Sequence, residues 1–356
     1  MKKMLTLLCV SIVFLFPFHS VSAQSAYNEL TVAGEYLVTA YSFQSPHNAV
    51  GLGLEATRWY RLDGDDEWIR LRNHPSLGLK ASLGITPNAI CGHRIGLAGM
   101  LRNPITPVFD WQMGLGISAY SRPLSLVSNA ENEYISTLFT FFLDFGFVFH
   151  LSDRTCLQLQ LLHSSNGNLA RPNRGLNYLQ AGLAFPLGNL PAPEGQWTDI
   201  RTKTFEHQRE VGFAVMIGTT TSRHSLQMGL FPCYNVSLNY GVRPRPTLAY
   251  GATLDFWYNG SHTWLIPRYH DYYPVPVYVG AQGYTEGFWG PLSLKLGVGY
   301  TLISSTRVEV KVYERLGAYY NFDPRCYVGL AINAHGGQAE FVELTFGYRM
   351  LTALKP

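Results

Sequence analysis

Charge is scarce in this chain. Only 14% of its 356 residues are Asp, Glu, Lys or Arg, the same share as Phe, Trp and Tyr together, whereas soluble domains average about 25% charged residues. Long hydrophobic runs are missing as well. Beyond the first two dozen residues no apolar stretch reaches the ~20 residues that a membrane helix needs, so helices do not carry this chain across a bilayer. An excess of basic charge is also lacking. Once Lys2 and Lys3 are set aside from the 27 basic residues, the remainder nearly balances the 24 acidic ones, which argues against nucleic acid as a partner. Cysteine is sparse: Cys91, Cys156, Cys233 and Cys326 stand too far apart for a zinc site or a CxxC redox motif. No metal or other cofactor is expected, although an even count in an exported protein permits disulfides.

The chain opens with Met1-Lys2-Lys3, an apolar run from Leu5 to Phe18, and Val21-Ser22-Ala23. This is the order of a secretory signal peptide, charged region, apolar region and small-residue cleavage site, so residues 1–23 are expected to be removed and the mature chain to begin at Gln24. Cys9 lies within the apolar run without the small residues that precede a lipoprotein anchor.

Apolar residues recur at period two. From Ile135 to Phe149 one side reads Ile135, Thr137, Phe139, Phe141, Leu143, Phe145, Phe147 and Phe149, while Ser136, Thr140, Asp144, Gly146 and His150 fall on the other. That run is long enough to cross a bilayer as a tilted strand, about 9–11 residues, and longer than the usual 5–6 residues of a soluble strand. Similar segments, among them about 224–238 and 245–258, run from about 29–43 to about 339–350 and bring the total to about sixteen. Turn signals such as Asp63-Gly64-Asp65-Asp66, Asn259-Gly260-Ser261 and Asp323-Pro324 separate them. Only a closed barrel satisfies every backbone group of a sheet in lipid. The fold class is therefore all-β, an antiparallel transmembrane β-barrel protein of the outer membrane of a Gram-negative cell.

The stretch Pro186 to Gly195, followed by a polar run to Arg209, interrupts the strands. Two β-rich halves are expected, 24–188 and 207–356, joined by a linker at 189–206. One wide barrel and two small ones are both compatible with this pattern. Cys156–Phe185 and Cys326–Tyr348 each run strand, His, turn, strand, but His335 falls on the face opposite Val328, Leu330 and Ile332 and has Gly337 where a hydroxyl would be needed. Trp59-Tyr60, Trp257-Tyr258 and Tyr272-Tyr273 fit the aromatic girdles of a membrane barrel.

One segment departs from the lipid-facing rule. Leu157, Leu159 and Leu161 line one face, and His163 and Ser165 continue it, with Cα atoms roughly 6–7 Å apart. Ser164 falls on the lumen face. A base and a hydroxyl thus share a surface that otherwise wants lipid, and a membrane ester is the natural substrate for such a pair.

The stretch Leu162 to Asn177 resembles the signature of the PagL family, the outer-membrane lipid A 3-O-deacylases, an H-x-S-N followed by P-N-x-G. The matching positions are His163, Ser165, Asn166, Pro172, Asn173 and Gly175. The resemblance covers about sixteen residues specifically and an eight-stranded half in architecture. It implies Ser165 as the nucleophile and His163 as its general base. It also implies Asn166, with backbone N–H groups of Gly167 and Asn168, as donors to the oxyanion. The family's acidic triad residue falls at Asn177, a neutral amide that orients a histidine without offsetting its charge. Arg171 and Arg174 flank the turn, where they could hold lipid phosphates or serve as rim charges. The implied partner is lipid A of lipopolysaccharide within the outer-membrane lipids. A transport channel and an inactive lipid-binding or structural barrel are the alternative functions.

Overall fold

Alternation with period two builds long antiparallel strands whose two faces meet different solvents. The computed structural model describes residues 23–38, 50–86, 90–170, 173–188, 205–221, 229–264, 276–304, 311–336 and 338–353. The expected signal segment up to Ser22, most of the expected linker, Arg171, Pro172 and Tyr272-Tyr273 lie outside the described residues. By its contacts the chain forms two compact units, residues 1–166 with 172–200, and residues 167–171 with 201–356.

The first unit holds β1 (Ala23–Val38), β2 (Val50–Leu62), β3 (Ser76–Ile85), β4 (Arg94–Thr106), β5 (Phe109–Tyr120), β6 (Phe139–Ser152), β7 (Thr155–Ser165) and β8 (Leu176–Leu187). Each strand pairs antiparallel with the next, and β8 closes on β1, from Asn28↔Leu187 to Val38↔Asn177. A single-turn helix, α1 (Glu67–Leu71), lies between β2 and β3.

The second unit closes in the same way through β9 (Gln208–Thr221), β10 (Leu230–Arg245), β11 (Leu248–Asn259), β12 (Val277–Trp289), β13 (Leu292–Ser304), β14 (Val312–Asn321), β15 (Cys326–His335) and β16 (Gln338–Ala353), with β16 pairing β9. The choice left open between one barrel and two is thereby settled as two barrels of eight strands each.

Polarity is inverted relative to a soluble protein. Along β1, Glu29, Thr31 and Glu35 are buried inside the barrel, while Leu30, Val32 and Tyr36 are exposed outside. Eight strands leave an interior that side chains fill. In the first barrel Lys80 Nζ donates to Glu55 Oε2 at 2.6 Å and to Asp144 Oδ2 at 2.7 Å. Arg102 forks onto Glu29 at 2.7 and 2.8 Å and lies over the Trp59 ring at 4.2 Å. In the second barrel Arg315 pairs with Asp255 at 3.0 Å, and Arg349 with Glu286 at 3.2 Å.

Removing one partner of such a buried cluster strands the others. Lys80→Met, which leaves two buried carboxylates facing each other, is expected to cost about 3–5 kcal/mol of barrel stability, read as the urea midpoint in lipid vesicles. Glu55→Gln and Asp144→Asn added to Lys80→Met should recover most of that loss.

Three expectations need correction. The strand read from Ile135 begins at Phe139. Asn132 Oδ1 accepts the N–H groups of Tyr134 and Ile135, both at 3.0 Å, folding the chain back into a turn, and Ile135 is buried in the core. The segments read as 224–238 and 245–258 are Leu230–Arg245 and Leu248–Asn259 about a two-residue turn. Trp59 and Trp257 are not girdle residues: both are buried inside their barrels, and Trp257 stacks on Tyr278 at 5.4 Å. Of two adjacent strand residues only one faces lipid, and here Tyr60 and Tyr258 occupy the outward positions next to them.

Candidate active site

The end of β7 carries the site because register places its neighbours there. His163 stands directly opposite Leu143 of β6 and Asn177 of β8, and Ser165 stands opposite Phe141. Across the β7–β8 hairpin, His163 Nδ1 lies 2.7 Å from Asn177 Oδ1. Since the amide oxygen only accepts, Nδ1 is the protonated nitrogen, and Nε2 keeps the lone pair that a general base needs. His163 and Ser165 leave the strand on the same outer face. Ser164 points into the barrel, where its Oγ meets Ser118 Oγ at 3.1 Å and is fully enclosed.

The turn that follows is tightly determined. Asn166 N–H donates to Asn173 Oδ1 at 2.7 Å. Asn166 Nδ2 donates to Ser136 Oγ at 2.9 Å, and its Oδ1 accepts from Thr137 Oγ1 at 2.8 Å. These bonds fix the amide plane, and with it the direction of both Nδ2 hydrogens. Gly167 and Asn168 follow with φ of 59° each, the left-handed region that Gly and Asn tolerate best. Asn168 groups with the second unit, in which its Nδ2 donates to Thr220 Oγ1 at 2.6 Å. Arg174 forms an exposed ion pair with Glu133 at 2.6 Å.

Gly175 explains one letter of the motif. Its φ is +68°, and a Cβ there would sit 2.9 Å from His163 Cε1 and 3.2 Å from Ser164 O. Both the backbone and the histidine ring therefore demand glycine. Gly175→Ala is expected to cost about 1–3 kcal/mol, measurable as a lower urea midpoint of the folded barrel in vesicles.

Sequence reading missed Ser136 and Thr137 as site neighbours, since their alternation with Ile135 and Phe139 mimics a strand. The loop they belong to, between β5 and β6, is clamped by Asn129 and Asn132. Their amides donate to Ile90 O at 2.8 and 3.2 Å and to Arg122 O at 2.9 Å each. Asn-x-x-Asn within a polar loop was the available signal.

On the outer wall below His163, the strands β6, β7 and β8 with β1 form an apolar groove of about 540 Å³, lined by Tyr36, Phe145, Phe147, Leu159, Leu161 and Leu179.

A closed barrel with an apolar outer belt, carrying a histidine and a serine at the rim of that belt, defines an integral β-barrel protein of the outer membrane. The family model described as lipid A 3-O-deacylase (PagL) matches residues 56–186, and that described as acyloxyacyl hydrolase, C-terminal domain, matches residues 209–352. The chain belongs to the PagL family. None of the curated proteins matches it in sequence. Among solved structures it is similar to the outer membrane enzyme PagL, at 15% identity over 44% of this chain and 99% of that one, with a TM-score of 0.32. It is also similar to Neisserial surface protein A, at 12% identity over 45% of this chain and 96% of that one, TM-score 0.28. A porin of Rhodopseudomonas blastica matches at 10% identity over 92% of this chain and 99% of the porin, TM-score 0.22.

Proposed function

We propose that this protein is an outer-membrane serine esterase that removes the ester-linked acyl chain at the 3-O position of lipid A. The observation that carries the reading is the His163 Nδ1 to Asn177 Oδ1 hydrogen bond on the lipid-facing side of β7, two residues from Ser165. Ser165 Oγ attacks the ester carbonyl while His163 Nε2 takes its proton. The same nitrogen then protonates the departing sugar oxygen, and water releases the fatty acid from the acyl-serine in a second round. Asn166 Nδ2, held by Ser136, and the Gly167 backbone N–H are the proposed oxyanion donors, with Asn168 extending the turn behind them. Removing one such donor elsewhere costs about 10²–10³ in rate.

The groove along β6–β8 takes the acyl chain while it remains in the bilayer, so the ester is cut without extraction of lipid. Arg174 is proposed to bind a lipid phosphate in exchange for Glu133, and Arg171 to assist it. The chain would use no metal or cofactor. The domain assignment proposed is an enzymatic first half, 24–188, a linker at 189–206 and a second barrel half, 207–356.

The test is release of a 3-hydroxy fatty acid from purified lipopolysaccharide by the folded protein in detergent or vesicles. Absence of any released acyl chain from a correctly folded preparation would count against it. The channel alternative is disfavoured by lumens crossed by buried ion pairs at Lys80, Arg102, Arg315 and Arg349, and planar-bilayer recordings should find no steady conductance.

A further inference from the structure

A second cluster of reactive side chains lies at the far end of the same barrel. β7 runs from Thr155 to Ser165, so Cys156 stands at the opposite end of the strand from Ser165, nine residues or roughly 30 Å away. Cys156 pairs with His150 across the β6–β7 hairpin, and Asp110 enters from the start of β5. His150 Nε2 lies 2.8 Å from Asp110 Oδ2, and His150 Nδ1 lies 3.4 Å from Cys156 Sγ. The carboxylate takes the Nε2 hydrogen, so Nδ1 is the nitrogen that shares a proton with the Cys156 sulfur. The order Cys, His, Asp is that of a nucleophile, a base and the group that orients the base.

Access to the sulfur is narrow. Cys156 is 1% exposed and packs on Val148 and Ala184, while the His150 side chain is 27% exposed and forms its open side. Only a reagent close to the size of water reaches such a sulfur, which selects peroxide among oxidants. None of the four described cysteines is in a disulfide, and Cys91 sits in the β3–β4 loop at the other end of the barrel. An oxidised Cys156 therefore meets no second thiol of its own barrel among the described residues.

We propose that Cys156 is a peroxide-reactive thiol, with His150 as its proton relay and Asp110 as the positioning residue for that histidine. Sulfur attacks one oxygen of hydrogen peroxide, the S–O bond forms as the O–O bond breaks, and the thiol proton passes to His150 Nδ1. His150 returns that proton to the departing hydroxide, which leaves as water. Sulfur loses two electrons to become a sulfenic acid, and the peroxide is reduced. This activity is independent of the esterase site.

The test exposes the whole folded protein in vesicles to hydrogen peroxide at pH 7, stops the reaction with catalase, and unfolds the chain into dimedone before peptide mass spectrometry. Cys326, which is more exposed than Cys156, is the internal reference. Cys91, whose thiol burial pushes up to about 12, should stay unlabelled. Cys156 is expected to label about tenfold faster than Cys326, in line with proton-transfer assistance of at least that size. His150→Gln and Asp110→Asn should each bring the ratio to one or below, whereas Asp110→Glu should retain part of it, all three with unchanged heat-modifiable mobility. A wild-type Cys156 no faster than Cys326 would overturn the proposal. So would a ratio that His150→Gln leaves intact, and if that variant does not fold, the Asp110 pair decides in the same way.

Discussion

Ser165→Ala is expected to lower fatty-acid release by at least about 10³-fold, while Ser164→Ala stays within about threefold of the parent. The size follows from removal of the proposed nucleophile, after which only binding and oxyanion stabilisation remain. The contrast follows from strand parity. Ser165 shares the outer face with His163, and Ser164 is enclosed in the lumen against Ser118. Both substitutions remove one hydroxyl from adjacent positions, so a general effect on folding would move the two together. The comparison needs the purified barrels in identical vesicles, with heat-modifiable mobility as the check on folding. Equal losses in the two variants would mean that the outer face of β7 is not where the ester is cut.

Asn177→Glu is expected to raise kcat by about 10–100-fold. Asn177 Oδ1 already sets the histidine tautomer at 2.7 Å, so the gain does not come from reorienting the ring. It comes from charge. In the proposed reaction His163 becomes an imidazolium as Ser165 attacks, and an amide dipole offsets that charge less than a carboxylate does. At an effective dielectric of about 20, opposite charges some 4 Å apart attract by about 4 kcal/mol, and desolvating the new carboxylate takes back part of it. A remaining gain of about 1.4–2.8 kcal/mol in the transition state corresponds to the stated range. An unchanged kcat in a folded Asn177→Glu barrel would show that the native amide is sufficient for this chemistry.

Much of the barrel is written in single-residue alternation. Leu157, Leu159 and Leu161 against Gln158 and Gln160 state which face meets lipid, and the same pattern carries His163 and Ser165 outward. The hairpin contact between His163 and Asn177 was legible too, because Asn177 shares the apolar parity of Leu179, Ala181 and Leu183. What alternation does not encode is closure. Pairing of β8 with β1 is a contact between residues some 140–160 positions apart, and nothing local in either strand distinguishes it from pairing with a ninth strand. Loop architecture is equally non-local. Ile135 and Thr137 continue the strand pattern in the sequence, yet Asn132 turns the backbone there and delivers Ser136 and Thr137 to Asn166. Trp59 was misread for a related reason: an aromatic pair suits an interface by composition, but its inward parity and the Arg102 and Glu29 partners decide its place.

Deacylation of lipid A at the lipid face of β7 is the core of the proposed function. It is tested most directly by mass spectrometry of lipid A from outer membranes of cells that express this protein and of cells that do not. Loss of the mass of one 3-O-linked hydroxyacyl chain is expected in the expressing cells. Identical lipid A in the two, with the barrel folded in the outer membrane, would contradict it.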